Sequence, residues 1–464
     1  MTDLLAADKG QAAHTIHLVD KNSFEDWKKG QPQRIRTLLD ARRFDGETGY
    51  RNTILPGEND DEWSVVTVVA NVDDLSPWCL SKLAHTLPGG TYRLADGKSP
   101  GPAKLGWILG QHRFDRYKSD NGKDTGPRIL LTEHAAQIDR TKSLAAATIL
   151  VRDLIDTPAE DLGPAEMEAR AKEIADKHGA KVEVTRGDAL EQGHPMIHAV
   201  GKAAAKGREP RLVEFTWGRE DAPRIAIVGK GVVFDSGGLD IKGATGMRIM
   251  KKDMGGAAHA LALAQLVMER NLPVRLHCLI PTVENAIDGR ALRPGDVIAS
   301  RKGLSVEIHN TDAEGRLILG DALTKAGEDD PELIIDFATL TGAARIAMGP
   351  DLPPMFANDD DLADALLAGS EAASDPIWRL PLWDGYMQML KSDIADLANA
   401  GSSPFAGCIT AALFLQKFVP ENTPWAHFDT YGWMPGAKPG RPKGGEAYGL
   451  RAAFAMLEEK YSRD

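Results

Sequence analysis

Cysteine is scarce in this chain. Only Cys79, Cys278 and Cys408 occur, far apart and with no Cys-x-x-Cys pair. So sparse and odd a set excludes a disulfide framework and reads as reduced thiols. Each is read as a buried structural thiol and not a nucleophile, since Cys278 lies in the apolar run 276–280 and Cys408 in a helical one. No run approaches the ~18–20 apolar residues of a membrane helix. The N-terminal Met-Thr-Asp-Leu-Leu-Ala-Ala-Asp-Lys has neither a basic region nor an apolar core, so a cytoplasmic protein without a secretory signal is expected. Basic side chains fall short of acidic ones, 55 against 67, for a net charge of −12. That balance argues against a general nucleic-acid binder, which needs a basic face. There is no His-Glu-x-x-His among the 12 histidines, and no Gly-x-Ser-x-Gly elbow. A one-zinc helical protease and a serine hydrolase are therefore unsupported. The nine tryptophans are scattered, as core and interface anchors are, and form no stacking platform.

What remains is an ordinary globular composition, 42% hydrophobic and 26% charged. At 464 residues the chain exceeds what one core organises, so two domains are expected. Residues 1–135 read as a small α/β domain, with strands at 64–72, 105–110 and 128–132 and a polar loop at 121–126. Residues 136–160 read as a connecting helix, Ala- and Leu-rich and ended by Asp156-Thr157-Pro158. In 161–464, apolar strands at 181–185, 211–217, 224–228, 274–280 and 333–337 alternate with helices such as 164–178 and 256–270. The fold class is α/β, and this alternation predicts a mostly parallel central sheet flanked by helices. Functional groups in such sheets collect at the carboxyl ends of strands.

Two stretches concentrate charge between apolar strands. The first is Gly-Lys-Gly-Val-Val-Phe-Asp-Ser-Gly-Gly at 229–238, followed by Lys242 and Asp253. The second is Asn-Thr-Asp-Ala-Glu-Gly-Arg at 310–316. Packed this densely, charged side chains are costly unless something binds them. Two divalent cations, the recurring device for activating water at roughly 3.5–4 Å separation, would account for them. Lys230 follows a strand, with Asp235 five residues later beside two glycines that allow close backbone approach. Next to two dications an ammonium is disfavoured, so Lys230 would ligate as a neutral amine. Asp253 alone reads first as the N-cap of the helix behind it. Asp312 and Glu314 are two apart, so an extended segment would point both the same way, with Arg316 continuing that side. Taken singly, such a pair also reads as a solvated acidic turn. His259 and His427 read as packing and structural hydrogen-bonding groups.

Together with Asp-Met-Gly-Gly-Ala-Ala at 253–258 and Ala-Thr-Leu-Thr-Gly-Ala at 338–343, these motifs resemble the leucyl aminopeptidase family of two-metal peptidases. The resemblance runs in order from about residue 151 to the C-terminus and includes 391–399 and 425–432. It implies that Asp235 and Glu314 bridge the metals. Lys230 and Asp253 would complete one site and Asp312 the other. Lys242 and Arg316 match the family's catalytic pair. Met250, Thr339 and Gly342 match positions lining the pocket for the first side chain, and Leu340 offers its carbonyl to substrate. The implied activity is release of N-terminal residues, with Leu, Met and other apolar residues preferred, from peptides with a free N-terminus. The implied cofactors are two divalent ions per subunit, zinc, manganese or magnesium, with bicarbonate held by Arg316. The implied assembly is a homo-hexamer. The alternative is a hexameric DNA-binding, architectural role on the same scaffold, which the acidic balance disfavours.

The chain departs from the family pattern near the site. Asp240 adds a carboxylate in Leu-Asp-Ile at 239–241, and Arg248, Lys251 and Lys252 make the following loop unusually basic. Lys438-Pro439 precedes the Gly-Arg-Pro of the tail. Asp240 and Lys438 are therefore expected at the pocket mouth, where either would favour charged first residues.

Overall fold

The computed structural model describes residues 3–59, 62–119 and 126–462. It divides into two compact units. One comprises Met1–Ile149 with Gly436–Lys443, the other Leu150–Pro435 with Gly444–Asp464. The 19-residue helix Ile138–Asp156 carries the chain from the first into the second.

The first unit is built on a six-stranded sheet, in the order Leu5–Ala7, Arg128–Thr132, Gly90–Leu94, His14–Val19, Trp63–Val68, Asn52–Pro56. All neighbours are parallel except the last pair. The strand expected at 64–72 ends at Val68, and the loop expected at 121–126 lies outside the described residues but for Gly126. The strand expected at 105–110 is instead the helix Ala103–Leu109. Every one of its residues is buried, so the sequence offers no periodicity to separate helix from strand. Its glycines decide the matter. A Cβ on Gly106 would sit 2.1 Å from the Pro77 carbonyl oxygen and one on Gly110 2.3 Å from that of Ser81, so the helix packs flush on neighbouring backbone.

The second unit holds a nine-stranded sheet. Its order is Trp378–Arg379, Pro354–Ala357, Trp425–Asp429, Leu333–Ala338, Arg224–Gly229, Arg275–Asn285, Arg211–Trp217, Lys181–Arg186, and Gly231–Asp235 also pairs with Arg275–Asn285. The centre is parallel and the flanks carry antiparallel pairs. Helix Gly255–Glu269, apolar on all sides, is buried from Gly255 to Ala264 and lies against strands Arg224–Gly229 and Leu333–Ala338. Leu279, Ile334, Ala226 and Trp425 from the sheet meet Leu317, Ile318 and Phe414 from the helices in one apolar core. That core fixes the carboxyl ends of Arg224–Gly229 and Leu333–Ala338, where the charged motifs emerge. No helix among the described residues is long and apolar enough to cross a membrane.

Candidate metal and active site

The central strands deliver their loops to one place. Lys230 is the single residue between strands Arg224–Gly229 and Gly231–Asp235, and Asp235 ends the second. The chain then turns through Gly237 and Gly238, both at positive φ, 88° and 64°. A Cβ on Gly237 would lie 2.4 Å from the Asp240 carbonyl oxygen and 3.1 Å from Asp312 Oδ1, so this turn admits only glycine. It brings Lys242 back over Asp235, whose Oδ2 is 2.7 Å from Lys242 Nζ, and Lys242 also pairs with Asp312. Asp235 Oδ1 accepts from the Gly237 amide and from Asn285 Nδ2, both at 2.8 Å, so the carboxylate is fixed before any ligand arrives.

Asp253 lies in the short 3₁₀ turn Met250–Met254 and caps no helix; the following helix has Met254 at its cap, without a side-chain bond. Its Oδ1 instead accepts from the Thr339 hydroxyl at 2.8 Å, and its Oδ2 lies 2.7 Å from Lys230 Nζ. Of the two readings of Asp253, the structure therefore keeps the one that puts it in the charged cluster. Glu314 Oε1 is 3.0 Å from the same ammonium. The 310–316 segment is not extended as expected. It turns at Thr311 and Asp312 and enters helix Gly315–Gly327 with Glu314 as the capping residue. Proximity of Asp312 and Glu314 thus comes from a turn, and Arg316 projects from the helix's first turn. One oxygen each of Asp235, Asp312 and Glu314 lie within 4.8 Å of one another.

Four buried or half-buried carboxylates face two ammoniums here. Burial pulls the Lys230 amine down, but Asp253, Glu314 and Asp235 outweigh it and hold Lys230 above the ordinary lysine value. Lys242 is raised in the same way by Asp235 and Asp253 against its burial. Burial pushes the Asp235 carboxyl well up, and Glu314 and Asp253 push it further. An excess of carboxylate remains after both lysines are counted. Glu314 Oε2 is buried with no hydrogen-bond partner, which is costly for a carboxylate oxygen. Hard carboxylate oxygens joined by one amine fit divalent cations.

Around this cluster lie groups that the motifs alone did not reveal. Arg316 is buried, its Nη1 donates to the Asn399 carbonyl at 2.7 Å, and its Nε has no partner. Burial pulls the guanidinium down to about 10, so it stays charged at neutral pH. Asn399 also accepts from the His309 amide and donates to the Asn310 carbonyl, binding the second motif from a segment 83 to 90 residues away. Asp429 accepts from the amides of Leu340 and Thr341 at 2.9 and 3.0 Å and from the Thr341 hydroxyl, shaping the loop into helix Gly342–Met348. Sequence reasoning assigned neither residue a role, because each acts across the fold on another loop's backbone. Thr339 spends its hydroxyl on Asp253 and turns its methyl toward Gly255 and Gly432. Gly342 faces open space. Met250 and Leu340 are half-buried beside this loop.

Asp240 does not act as expected. Its carboxylate accepts from the Thr311 amide at 2.8 Å and from the Thr311 hydroxyl, so it ties the two motif loops together. Lys438 belongs to Gly436–Lys443, in a tight turn bridged to Arg441 within the first unit. His259 accepts from the Tyr448 amide through Nε2 and donates through Nδ1 to the Gly255 carbonyl, while His427 Nδ1 meets Asp336 Oδ1 at 2.6 Å. Both are structural. All three cysteines are buried and unpaired.

Fold and site together define a peptidase of the leucine aminopeptidase type. More narrowly, the chain belongs to the cytosol aminopeptidase family: the family's catalytic-domain model matches residues 149–454, and the M17 aminopeptidase N-terminal-domain model matches residues 15–127. A probable cytosol aminopeptidase of Syntrophotalea carbinolica is 41% identical over 371 residues, 76% of this chain and 74% of that one. One from Roseiflexus castenholzii is 42% identical over 370 residues, 76% and 75% of the respective chains. The crystal structure of the cytosol aminopeptidase from Coxiella burnetii superposes with a TM-score of 0.93 at 44% identity over 99% of each chain. The bottromycin maturation enzyme BotP in complex with Mn does so at 0.87 and 30% identity, over 97% of this chain and 100% of that one.

Proposed function

We propose that this peptidase removes N-terminal residues from peptides by metal-assisted attack of water on the first peptide bond. The observation that carries the reading is the convergence of Asp235, Asp253, Asp312 and Glu314 on Lys230 and Lys242, with one Glu314 oxygen buried and unbonded. Asp235 and Glu314 would bridge two divalent ions, Lys230 and Asp253 would complete one site and Asp312 the other. Bound there, the ions supply Lewis acidity and an activated water. The manganese of the BotP complex supports a divalent metal here, with zinc and magnesium as the other candidates.

The chain's own groups then divide the work. Lys242 reaches into the cluster from a glycine turn and stabilises negative charge as it develops on the scissile carbonyl oxygen. Arg316, charged and with a free Nε, seats an anion or water that relays the proton; bicarbonate fits that seat. A guanidinium is not itself the base. The Leu340 carbonyl and the half-buried Met250 flank the place of the first residue. Met adapts to varied apolar shapes, so Leu and Met are both accepted, and discrimination is about 1–3 kcal/mol per methylene. Apolar side chains left on the surface of the second unit, among them Ile346, Ile394 and Phe405, support subunit contacts in a homo-hexamer. A cytoplasmic location fits the three reduced cysteines.

The test is hydrolysis of leucyl, methionyl and N-acetyl-leucyl reporters with zinc, manganese or magnesium. Cleavage of the first two and not the third is expected. Rapid cleavage of the acetylated reporter would remove the requirement for a free N-terminus.

A further inference from the structure

One lysine beside the cluster has no role in the scheme above. Lys252 lies between Met250 and Asp253 and is buried, 6% exposed. A buried ammonium ordinarily has a hydrogen-bonded counter-charge. Lys252 has none among the described residues. Its pairing carboxylate oxygen, Asp253 Oδ1, is 4.0 Å from Nζ, beyond hydrogen-bond reach, and already accepts from the Thr339 hydroxyl. The Tyr431 ring also lies by the amine, 5.3 Å from Nζ to its centroid, and Asp429, Lys230 and Lys242 are near enough to act on its charge. Tyr431 follows Thr430, whose amide donates to the Ala338 carbonyl at 2.8 Å, so the ring lies alongside the loop that carries Thr339, Leu340 and Gly342. On Tyr431 rests a second cation, Arg345, 5.2 Å from the ring centroid, with Nη1 3.4 Å from the phenol oxygen. Arg345 is exposed and sits one turn into the helix that Gly342 begins. An amine without a hydrogen-bonded counter-charge, an aromatic ring and an exposed guanidinium thus lie beside the loop that carries Thr339, Leu340 and Gly342.

We infer that Lys252, with Tyr431 and Arg345, recognises an acidic side chain on the first residue of the substrate, so that the enzyme takes glutamyl and aspartyl peptides as well as apolar ones. The inference rests on the aminopeptidase reading and names a substrate class for the same site. A side-chain carboxylate supplies what Lys252 lacks, an acceptor of opposite charge in a place shielded from water, where charge-assisted hydrogen bonds are strong. Arg345 attracts the same group from outside. A neutral amide of equal shape offers an acceptor but no opposite charge.

The test compares kcat/KM of the metal-loaded enzyme for glutamyl, glutaminyl and leucyl reporters. Glutamine has the shape of glutamate without the charge. Glutamyl is expected to exceed glutaminyl by about tenfold or more, the scale of a desolvated charge pair. Lys252→Met should bring that ratio close to one, and Lys252→Arg should keep glutamyl ahead. Calorimetry on the unaltered enzyme gives a second readout, free of any folding defect in a variant: L-glutamate should bind more tightly than L-glutamine. Glutamyl no better than glutaminyl in the unaltered enzyme would overturn the inference while leucyl cleavage upheld the aminopeptidase reading. Lys252→Met lowering all three rates equally, with loss of metal, would also overturn it and make Lys252 a counter-charge for Asp253. Failure to cleave any of the three would sink the aminopeptidase reading itself.

Discussion

Lys230 Nζ lies 2.7 Å from Asp253 Oδ2, both side chains buried at the end of the central strands. Without a metal the ammonium is the positive charge that lets Asp253 and Glu314 stay close, and these carboxylates hold its proton against burial. A Lys230 that ligates must give that proton up, because only the neutral amine has a lone pair. The sign follows: protons compete with metal, so affinity rises with pH. Titration with manganese at pH 6.5 and 8.5 should show tighter binding at the higher pH and proton release on loading. Lys230→Met should weaken binding and flatten the dependence. Equal affinity at both values, with no proton released, would mean that Lys230 is a counter-ion and not a ligand.

Lys242 is the complementary case. It contacts Asp235 and Asp312 but projects from a glycine turn, and its side chain is more exposed than that of Lys230. Lys242→Ala should leave metal content near the unaltered value while lowering kcat by about 10²–10³, the scale of losing one oxyanion donor. Elemental analysis beside steady-state kinetics separates the outcomes, and a parallel loss of metal would make Lys242 structural.

Gly315 tests how tightly the cluster is built. A Cβ there would lie 2.5 Å from Lys230 Cε and 2.7 Å from Nζ, too close for any real contact. Gly315 is the first residue of its helix and lies on packed backbone, so Lys230 is the part that must move. Gly315→Ala should therefore cost metal binding and activity far more than it costs folding, measured as metal content and kcat against thermal midpoint. An alanine variant with normal metal and rate would show that Lys230 has room the structure denies it.

The chemistry was more legible than the geometry. The two motifs named every carboxylate in the cluster, because a metal site needs particular residue types and the local spacing records them. Their conformation was less so: the 310–316 segment reads as extended, yet Asp312 and Glu314 meet through a turn into a helix. Long-range support was silent, since nothing near Asn399 or Asp429 marks them as holding Asn310 or Leu340. Lys252 reads in sequence only as part of a basic loop, and its burial beside Tyr431 is a tertiary fact. Among the elements, strands 211–217 and 333–337 are recovered to within a residue because buried strands are short apolar runs between polar turns. The 105–110 run failed for the same reason, being apolar on every side.

Acid should destabilise this fold through His194. Burial, with the Arg301 cation beside it, holds the imidazole neutral down to about 4, below the ordinary histidine value of 6.5. The unfolded chain takes up its proton first, so stability present above pH 6.5 is lost as pH falls toward 4, by at most about 3 kcal/mol. Thermal midpoints of metal-free protein at pH 7.5 and 5 should differ more in the unaltered chain than in His194→Gln. An equal drop in both would assign the acid sensitivity to other groups.

The central claim is that Asp235 and Glu314 bridge two divalent ions on which peptide cleavage depends. The most direct measurement is elemental analysis of the protein after chelation and reloading with manganese, taken alongside its leucyl-reporter rate. The bridging assignment predicts about two metal equivalents per chain, a rate that rises with loading, and loss of both equivalents together in Glu314→Ala. Full activity in the chelated protein, or two tightly held metals in Glu314→Ala, would contradict it.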